Sequence, residues 1–179
     1  PEFLRERHAA ADAARPERTI IGIPEDTKEY KKRAEEVLSL LPEASFVRIT
    51  SARAAELVKY AGNNFLYVKV VYANLLFDLS QALGVDYNDI AEMLAADSRI
   101  GSSHLSVLHA SGHTTRAGRG AGGHCFIKDF EAFRQLYAVE VPDPTGNAIL
   151  DVLKDKNNEL LRGSGKDLDL LTHVYGPLF

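Results

Sequence analysis

The chain has 179 residues, 45% of them apolar, a formal net charge of −4 and one cysteine. That length and apolar content suffice for one good core, read as one domain plus a piece of another. The acidic balance argues against nucleic acid as the main partner. No apolar run reaches the roughly 20 residues of a membrane span, and a lone cysteine excludes an internal disulfide framework and suits a reducing cytoplasm. No signal-peptide pattern opens the chain. It begins at Pro1, in mid-motif, and so reads as part of a longer protein.

Residues 1–14 read as a short helix or turn with Glu2 and Glu6 at i, i+4, both carboxylates on one face. By residue type alone they are a solvated acidic pair beside Arg5 and Arg7. Residues 19–23 form a β-like run. Residues 24–41 then carry helical period through Tyr30, Ala34, Val37, Leu38 and Leu41, capped by Asp26 or Thr27 and stopped by Pro42. Residues 45–49 are a second β-like run. Such a β-α-β unit cannot bury its own strands and predicts the edge of a larger sheet.

The longest predicted element starts at Thr50 or Ser51 and runs to about Gly84. Ala54, Val58, Ala61, Phe65, Val68, Tyr72, Leu75, Leu79 and Ala82 follow an unbroken 4-3 alternation, and Leu66, Val70, Ala73 and Phe77 form a second apolar line. A helix apolar on two sides packs between partners, one of them plausibly a second subunit. Lys59 and Asn63 share a face near its start. As ordinary surface residues, Lys59 would pair with Glu56 and Asn63 would be solvated. Asp86, with Asp89 three residues on, opens a shorter helix to about Ala96. Arg99 follows, either ion-paired with Asp97 or reaching a ligand. Residues 102–123 are irregular and, with the next residue, gather His104, His109, His113 and His124. Their spacings match no standard zinc pattern, so they read as polar loop residues with no metal.

Gly118, Gly120, Gly122 and Gly123 then lead directly into His124 and Cys125. The helical spacing of Phe126, Phe130, Phe133, Leu136 and Tyr137 puts Cys125 at a helix N-terminus. There the macrodipole and Lys128, one turn on, favour an anion, so Cys125 reads as a nucleophile. A small buried hydrophobe is the competing reading. The glycines also fit G-x-G-x-x-G as Gly118, Gly120 and Gly123, but no hydrophobic strand precedes them, and the dinucleotide reading is rejected. Asp129 reads as an acid in the first helical turn. After the turn at residues 141–144, Thr145 opens another helix ending near Gly163, and the apolar tail from Asp167 packs on it.

The string G-x-G-x-G-G-x-C-F-x-K-D over residues 118–129 resembles the nucleophile motif of the UDP-glucose/GDP-mannose dehydrogenase family. Residues 1–23, 51–79 and 97–101 add to that resemblance, which covers essentially the whole chain. It implies a mainly α fold: a helical central domain with one very long helix (51–179), preceded by a β-α-β remnant of a Rossmann-type NAD-binding domain (1–50). It implies Cys125 as nucleophile, Lys59 stabilising an oxyanion, and Asn63 binding substrate. Glu2 and Asp129 would manage protons. Phe3, Leu4, Glu6, Arg99 and Gly122 would also line the nucleotide sugar, Arg99 often from a neighbouring subunit. Glu6, Cys125 and Lys128 would lie by NAD. The implied activity is NAD-dependent oxidation of a nucleotide sugar at C6 to a carboxylate, with UDP-glucose preferred, in a cytoplasmic homodimer joined through the long helix. GDP-mannose and UDP-N-acetylhexosamine dehydrogenases remain alternatives, as do a non-catalytic assembly core and a histidine-based metal site. His124 stands where the family usually has serine and Ile127 where it usually has proline. The loop ahead of the glycines is also longer than the family's.

Overall fold

The computed structural model describes residues 3–5 and 8–177, so the expectations for Glu2 and Glu6 fall outside the described residues. The chain divides into two compact units, Pro1–Gly62 and Asn63–Phe179.

The first unit holds α1 (Ala9–Ala14), β1 (Arg18–Ile23), α2 (Lys28–Leu38), β2 (Phe46–Ser51) and the opening turns of α3 (Ala52–Leu83). β1 and β2 pair in parallel, Arg18 opposite Phe46 and Ile23 opposite Ser51. Parallel neighbours need a crossover between them, and α2 supplies it, giving the β-α-β unit of a Rossmann-type domain. Of the two predicted caps it is Thr27 that serves, its Oγ1 accepting the Tyr30 N–H at 3.2 Å. Ser51 caps α3 in the same way, accepting from the Ala54 N–H at 3.2 Å. Gly22 explains how α3 seats on β1. A Cβ there would stand 2.8 Å from the Ala52 Cα and 2.9 Å from the Ala55 Cβ, so only a bare backbone permits the approach.

The second unit is all helix and loop: the rest of α3, α4 (Tyr87–Ala95), α5 (Gly123–Glu140), α6 (Pro144–Ser164) and α7 (Leu168–Tyr175). Asp86 caps α4 through the Asn88 N–H at 2.9 Å. α6 starts one residue earlier than its periodicity suggests, because Pro144 is pre-shaped for a first helical position and Asp143 caps it through the Thr145 N–H at 3.1 Å. It also runs past Gly163 and ends on Gly165, whose φ of 65° gives a left-handed stop.

Three apolar clusters hold this unit together. Tyr67, Val70 and Val71 of α3 meet Ala121 and Phe130, and the Tyr67 and Phe130 rings stack at 3.9 Å and 11°. Ala73 and Tyr87 enclose Leu105 and Val107, so part of the irregular stretch is core. Tyr87 donates its Oη–H to the Leu105 carbonyl at 2.7 Å, which pins that stretch further. Ile127, Leu161 and Leu171 join α5, α6 and α7, so the apolar tail packs on α5 as well as on α6.

The two apolar lines of α3 have different fates. Val70 and Ala73 are buried, whereas Phe65 (72% exposed), Tyr72 (60%) and Leu79 (54%) lie open on the other line.

The stacked pair yields a prediction. Phe130→Ala removes a fully buried ring from its partner and should cost about 3–5 kcal/mol, read as a lower urea midpoint with unchanged m-value.

Candidate functional site

Residues 118–122 precede α5 without regular secondary structure, yet Gly118, Gly120, Ala121, Gly122 and Gly123 are all buried. Buried backbone polar groups need partners: Gly118 exchanges backbone bonds with His109 at 3.1 and 3.2 Å, and α6 and the turn after it serve the residues that follow. Asn157 works from both ends of its amide: its Oδ1 accepts the Ala121 N–H at 2.7 Å and its Nδ2 donates to the Ala121 carbonyl at 3.0 Å. Ser164 Oγ accepts the Arg119 N–H at 3.0 Å. Lys166 is wholly buried and donates from Nζ to the Gly120 carbonyl at 2.8 Å, with the Gly118 carbonyl at 3.5 Å and His109 Nε2 at 3.1 Å. The Asp167 carboxylate accepts the Gly123 N–H at 2.8 Å and the Ser111 hydroxyl at 3.0 Å. Arg119 reaches across to α3, donating to Asn74 Oδ1 at 2.8 Å and Asp78 Oδ1 at 2.7 Å.

This clamp is why the glycines are glycines. A Cβ on Gly118 would meet Ser164 Oγ at 2.7 Å, and one on Gly122 would meet Asp167 Oδ2 at 2.1 Å. Gly120 and Gly123 also adopt φ values of 91° and 82°, which side chains resist.

Cys125 emerges from this loop in the first turn of α5, and it is exposed, which removes the reading of it as a buried hydrophobe. Asp129 is not in the first turn as expected. Because α5 begins at Gly123, Asp129 falls one turn beyond Cys125, 3% exposed. Its Oδ2 accepts the Asn63 Nδ2–H at 2.6 Å and its Oδ1 pairs with Lys128 Nζ at 2.5 Å. Cys125, Lys128 and Asp129 stand at i, i+3 and i+4, on one helical face. The structure therefore brings Asn63 of α3 against Asp129, which stands with Lys128 on the helix that carries Cys125.

Lys59, Phe3 and Leu4 belong to the first unit, where Lys59 is partly buried on α3 and the Phe3 ring lies 4.0 Å under the Arg18 guanidinium. Arg99 is exposed and forms the ion pair with Asp97, at 2.6 Å. Lys69 Nζ ties that turn to α3 by donating to the carbonyls of Ile100 at 2.7 Å and Gly101 at 3.2 Å. The four histidines have separate neighbours. His113 meets Asp169 at 2.7 Å, the His124 ring lies 4.6 Å from that of His113, His109 faces Lys166, and the His104 ring lies 5.6 Å from Phe126. Among the described residues no group of three or more His, Cys, Asp or Glu could hold a metal ion. For a nicotinamide cofactor, exposed Cys125 and Lys128 fit one edge of a site, a thiol and a cation on one accessible face.

Sequence reasoning missed Asn157, Ser164, Lys166 and Asp167. The signal was there: an Asn-Asn pair inside the apolar pattern of α6, and a Lys-Asp pair just ahead of an apolar tail.

Burial, reinforced by the facing Lys166, pushes the His109 imidazole down to about 4, and burial brings the Lys166 ammonium down to about 8, partly offset by Asp167.

Comparison with known proteins identifies the family. Residues 53–158 match the UDP-glucose/GDP-mannose dehydrogenase family, central domain. A UDP-glucose 6-dehydrogenase of Rhizobium meliloti is 38% identical over 130 residues, 72% of this chain and 28% of that protein. One from Haloferax volcanii is 35% identical over 170 residues, 87% of this chain and 37% of that protein. A solved UDP-glucose dehydrogenase from Pyrobaculum islandicum superposes with a TM-score of 0.73 at 32% identity, over 99% of this chain and 37% of that one. The chain belongs to the UDP-glucose/GDP-mannose dehydrogenase family. It spans 28% and 37% of the two relatives' lengths, and about a third of the family architecture is thus in view.

Two predictions come from the clamp. Gly122→Ala drives a methyl group into Asp167 and should cost about 1–3 kcal/mol, seen as a lower denaturation midpoint. A histidine held below its ordinary range when folded binds protons more readily when unfolded. Its contribution is thus present above pH ~6.5 and lost as pH falls toward 4. Denaturation midpoints measured between pH 7 and 4 should fall, and less steeply in His109→Gln.

Proposed function

We propose that this chain is the catalytic centre of a nucleotide-sugar 6-dehydrogenase, converting the C6 alcohol of UDP-glucose to a carboxylate through Cys125. The observation that carries this reading is the exposed Cys125 in the first turn of α5. It sits behind a clamped glycine loop and on the face of buried, paired Asp129. In this reading residues 1–50 are the end of the NAD-binding domain and residues 51–179 the central domain.

The chemistry needs a trap for the aldehyde reached halfway. The Cys125 thiolate adds to the aldehyde carbon, a C–S bond forms, and the carbonyl electron pair moves onto oxygen. Lys59 and Asn63 stabilise that oxyanion, and Asp129, which accepts from the Asn63 amide, orients it. Loss of a second hydride from this thiohemiacetal leaves a thioester. Water then attacks the acyl carbon, the C–S bond breaks, and carboxylate and thiolate are released. Glu2 and Asp129 handle the protons of that water. NAD, when bound, is the acceptor of both hydrides. Exposed Lys128 stands on the cysteine's face to meet the cofactor, while Phe3, Leu4, Glu6, Gly122 and Arg99 line the sugar nucleotide. The identity to UDP-glucose 6-dehydrogenases favours UDP-glucose over the GDP-mannose and N-acetylhexosamine alternatives. The setting is cytoplasmic. No helix among the described residues is long and apolar enough to cross a membrane.

The bare line of α3, with Phe65, Tyr72, Leu75 and Leu79 exposed, favours a homodimer through this helix. An assembly core and a catalytic centre are thus compatible roles for one chain.

In the full-length protein Cys125→Ser should retain UDP-glucose binding and form no carboxylate product. Normal acid formation by that variant would sink the mechanism. Tyr72→Glu with Leu79→Glu should shift sedimentation to the monomer, and a retained dimer would overturn the α3 interface.

A further inference from the structure

We propose that Lys166 and Asp167 are positioning residues that hold the glycine loop and, through the Gly123 amide, set the first turn of α5 from which Cys125 projects. This rests on Cys125 being the nucleophile and adds a role for the α6–α7 turn, which the family match at residues 53–158 does not reach.

Three costly features coincide at these two residues. Lys166 is a fully buried ammonium, and taking such a charge out of water is expensive even when paired. Its partners are two backbone carbonyls and a histidine rather than a carboxylate, so the charge is spent on the loop and not on a salt bridge. Asp167 is 3% exposed, a second buried charge. It also sits at φ 51°, a left-handed conformation that an aspartate adopts only when its surroundings impose it. Unfavourable backbone and buried charges gather where a structure must place something accurately.

The contacts show what is placed. Lys166 holds the carbonyls on the near side of the glycine run and Asp167 holds the amide on its far side, at Gly123. Gly123 is the first residue of α5 and Cys125 the third, so the direction of that N–H bond fixes how the first turn leaves the loop. Ser111 fixes the other oxygen of Asp167 and stops the carboxylate from rotating. Asn157 holds Ala121 between the two. A nucleophile displaced by about 1 Å loses much of its rate, which gives the clamp a function beyond stability.

Backbone amide exchange and iodoacetamide alkylation of Cys125 test this on the chain as it stands. In Asp167→Ala, exchange at Gly123 should rise at least about tenfold, while α4 and residues 67–71 keep wild-type protection. The alkylation rate should change by at least about threefold. Asp167→Asn, whose amide oxygen can still accept from Gly123, should restore both. Lys166→Met, which replaces a buried charge with an apolar chain of similar length, should loosen residues 118–121 without lowering the melting temperature. It also carries the test if Asp167→Ala does not fold. A rise in exchange spread evenly through α3 to α7 would mean a merely structural role and overturn the proposal. So would an unchanged alkylation rate beside faster Gly123 exchange. A wild-type thiol that iodoacetamide never modifies would instead sink the nucleophile reading, and Gly123 amide exchange alone would then decide whether the clamp holds the turn.

Discussion

Everything at the candidate site depends on one requirement: a glycine loop buried without regular secondary structure must have its backbone groups satisfied. In a helix or sheet the ladder does this automatically. Here, beyond the backbone bridge between His109 and Gly118, the partners are side chains, Asn157, Ser164, Lys166 and Asp167, delivered by α6 and the turn that follows it. The loop can approach those side chains only because Gly118 and Gly122 carry no Cβ. Chain economy at the glycines and polarity at the α6–α7 turn are therefore two halves of one device. Cys125 is exposed because what surrounds it is fixed from below.

α3 does two jobs with one sequence. Its Tyr67, Val70 and Val71 build the core beneath α5, its Asn63 holds Asp129, and its Asn74 and Asp78 hold Arg119. The polar contacts lie on turns adjoining the apolar ones, so the helix that anchors the core also aligns the loop. Its other line stays apolar and bare, with Phe65 and Tyr72 the most open of the large residues there.

Much of this was legible in the sequence because it rests on local rules. The 4-3 alternation gave α3 nearly to its ends, Asp86 and Thr27 marked helix starts, and the glycine-to-cysteine string marked the start of α5. The misses were of two kinds. Asp129 reads as a first-turn acid when the helix is started at Cys125; the helix starts two residues earlier, at Gly123, and Asp129 lies a turn further in, buried against Asn63. Lys166 and Asp167 leave only a faint mark in the sequence, a charged pair ahead of an apolar tail, because their meaning is tertiary: full burial of that lysine comes from the loop it meets. Leu105 and Val107 were likewise taken as irregular loop, and so they are, but loop that fills a core.

The clamp also has a bearing on the order in which the molecule can be assembled. Its bonds join residues 36 to 57 positions apart, from Ala121–Asn157 to His109–Lys166. Closing such spans costs chain entropy that no local helix formation offsets. α3 and α4 can form from nearby residues as soon as they are made, and the glycine loop can already meet α3 and His109, but the bonds to Ala121 and Gly123 wait until α6 is complete and residues 166 and 167 have followed it. During synthesis the cysteine is therefore made well before its surroundings exist, and the geometry around it is among the last features of this unit to be set.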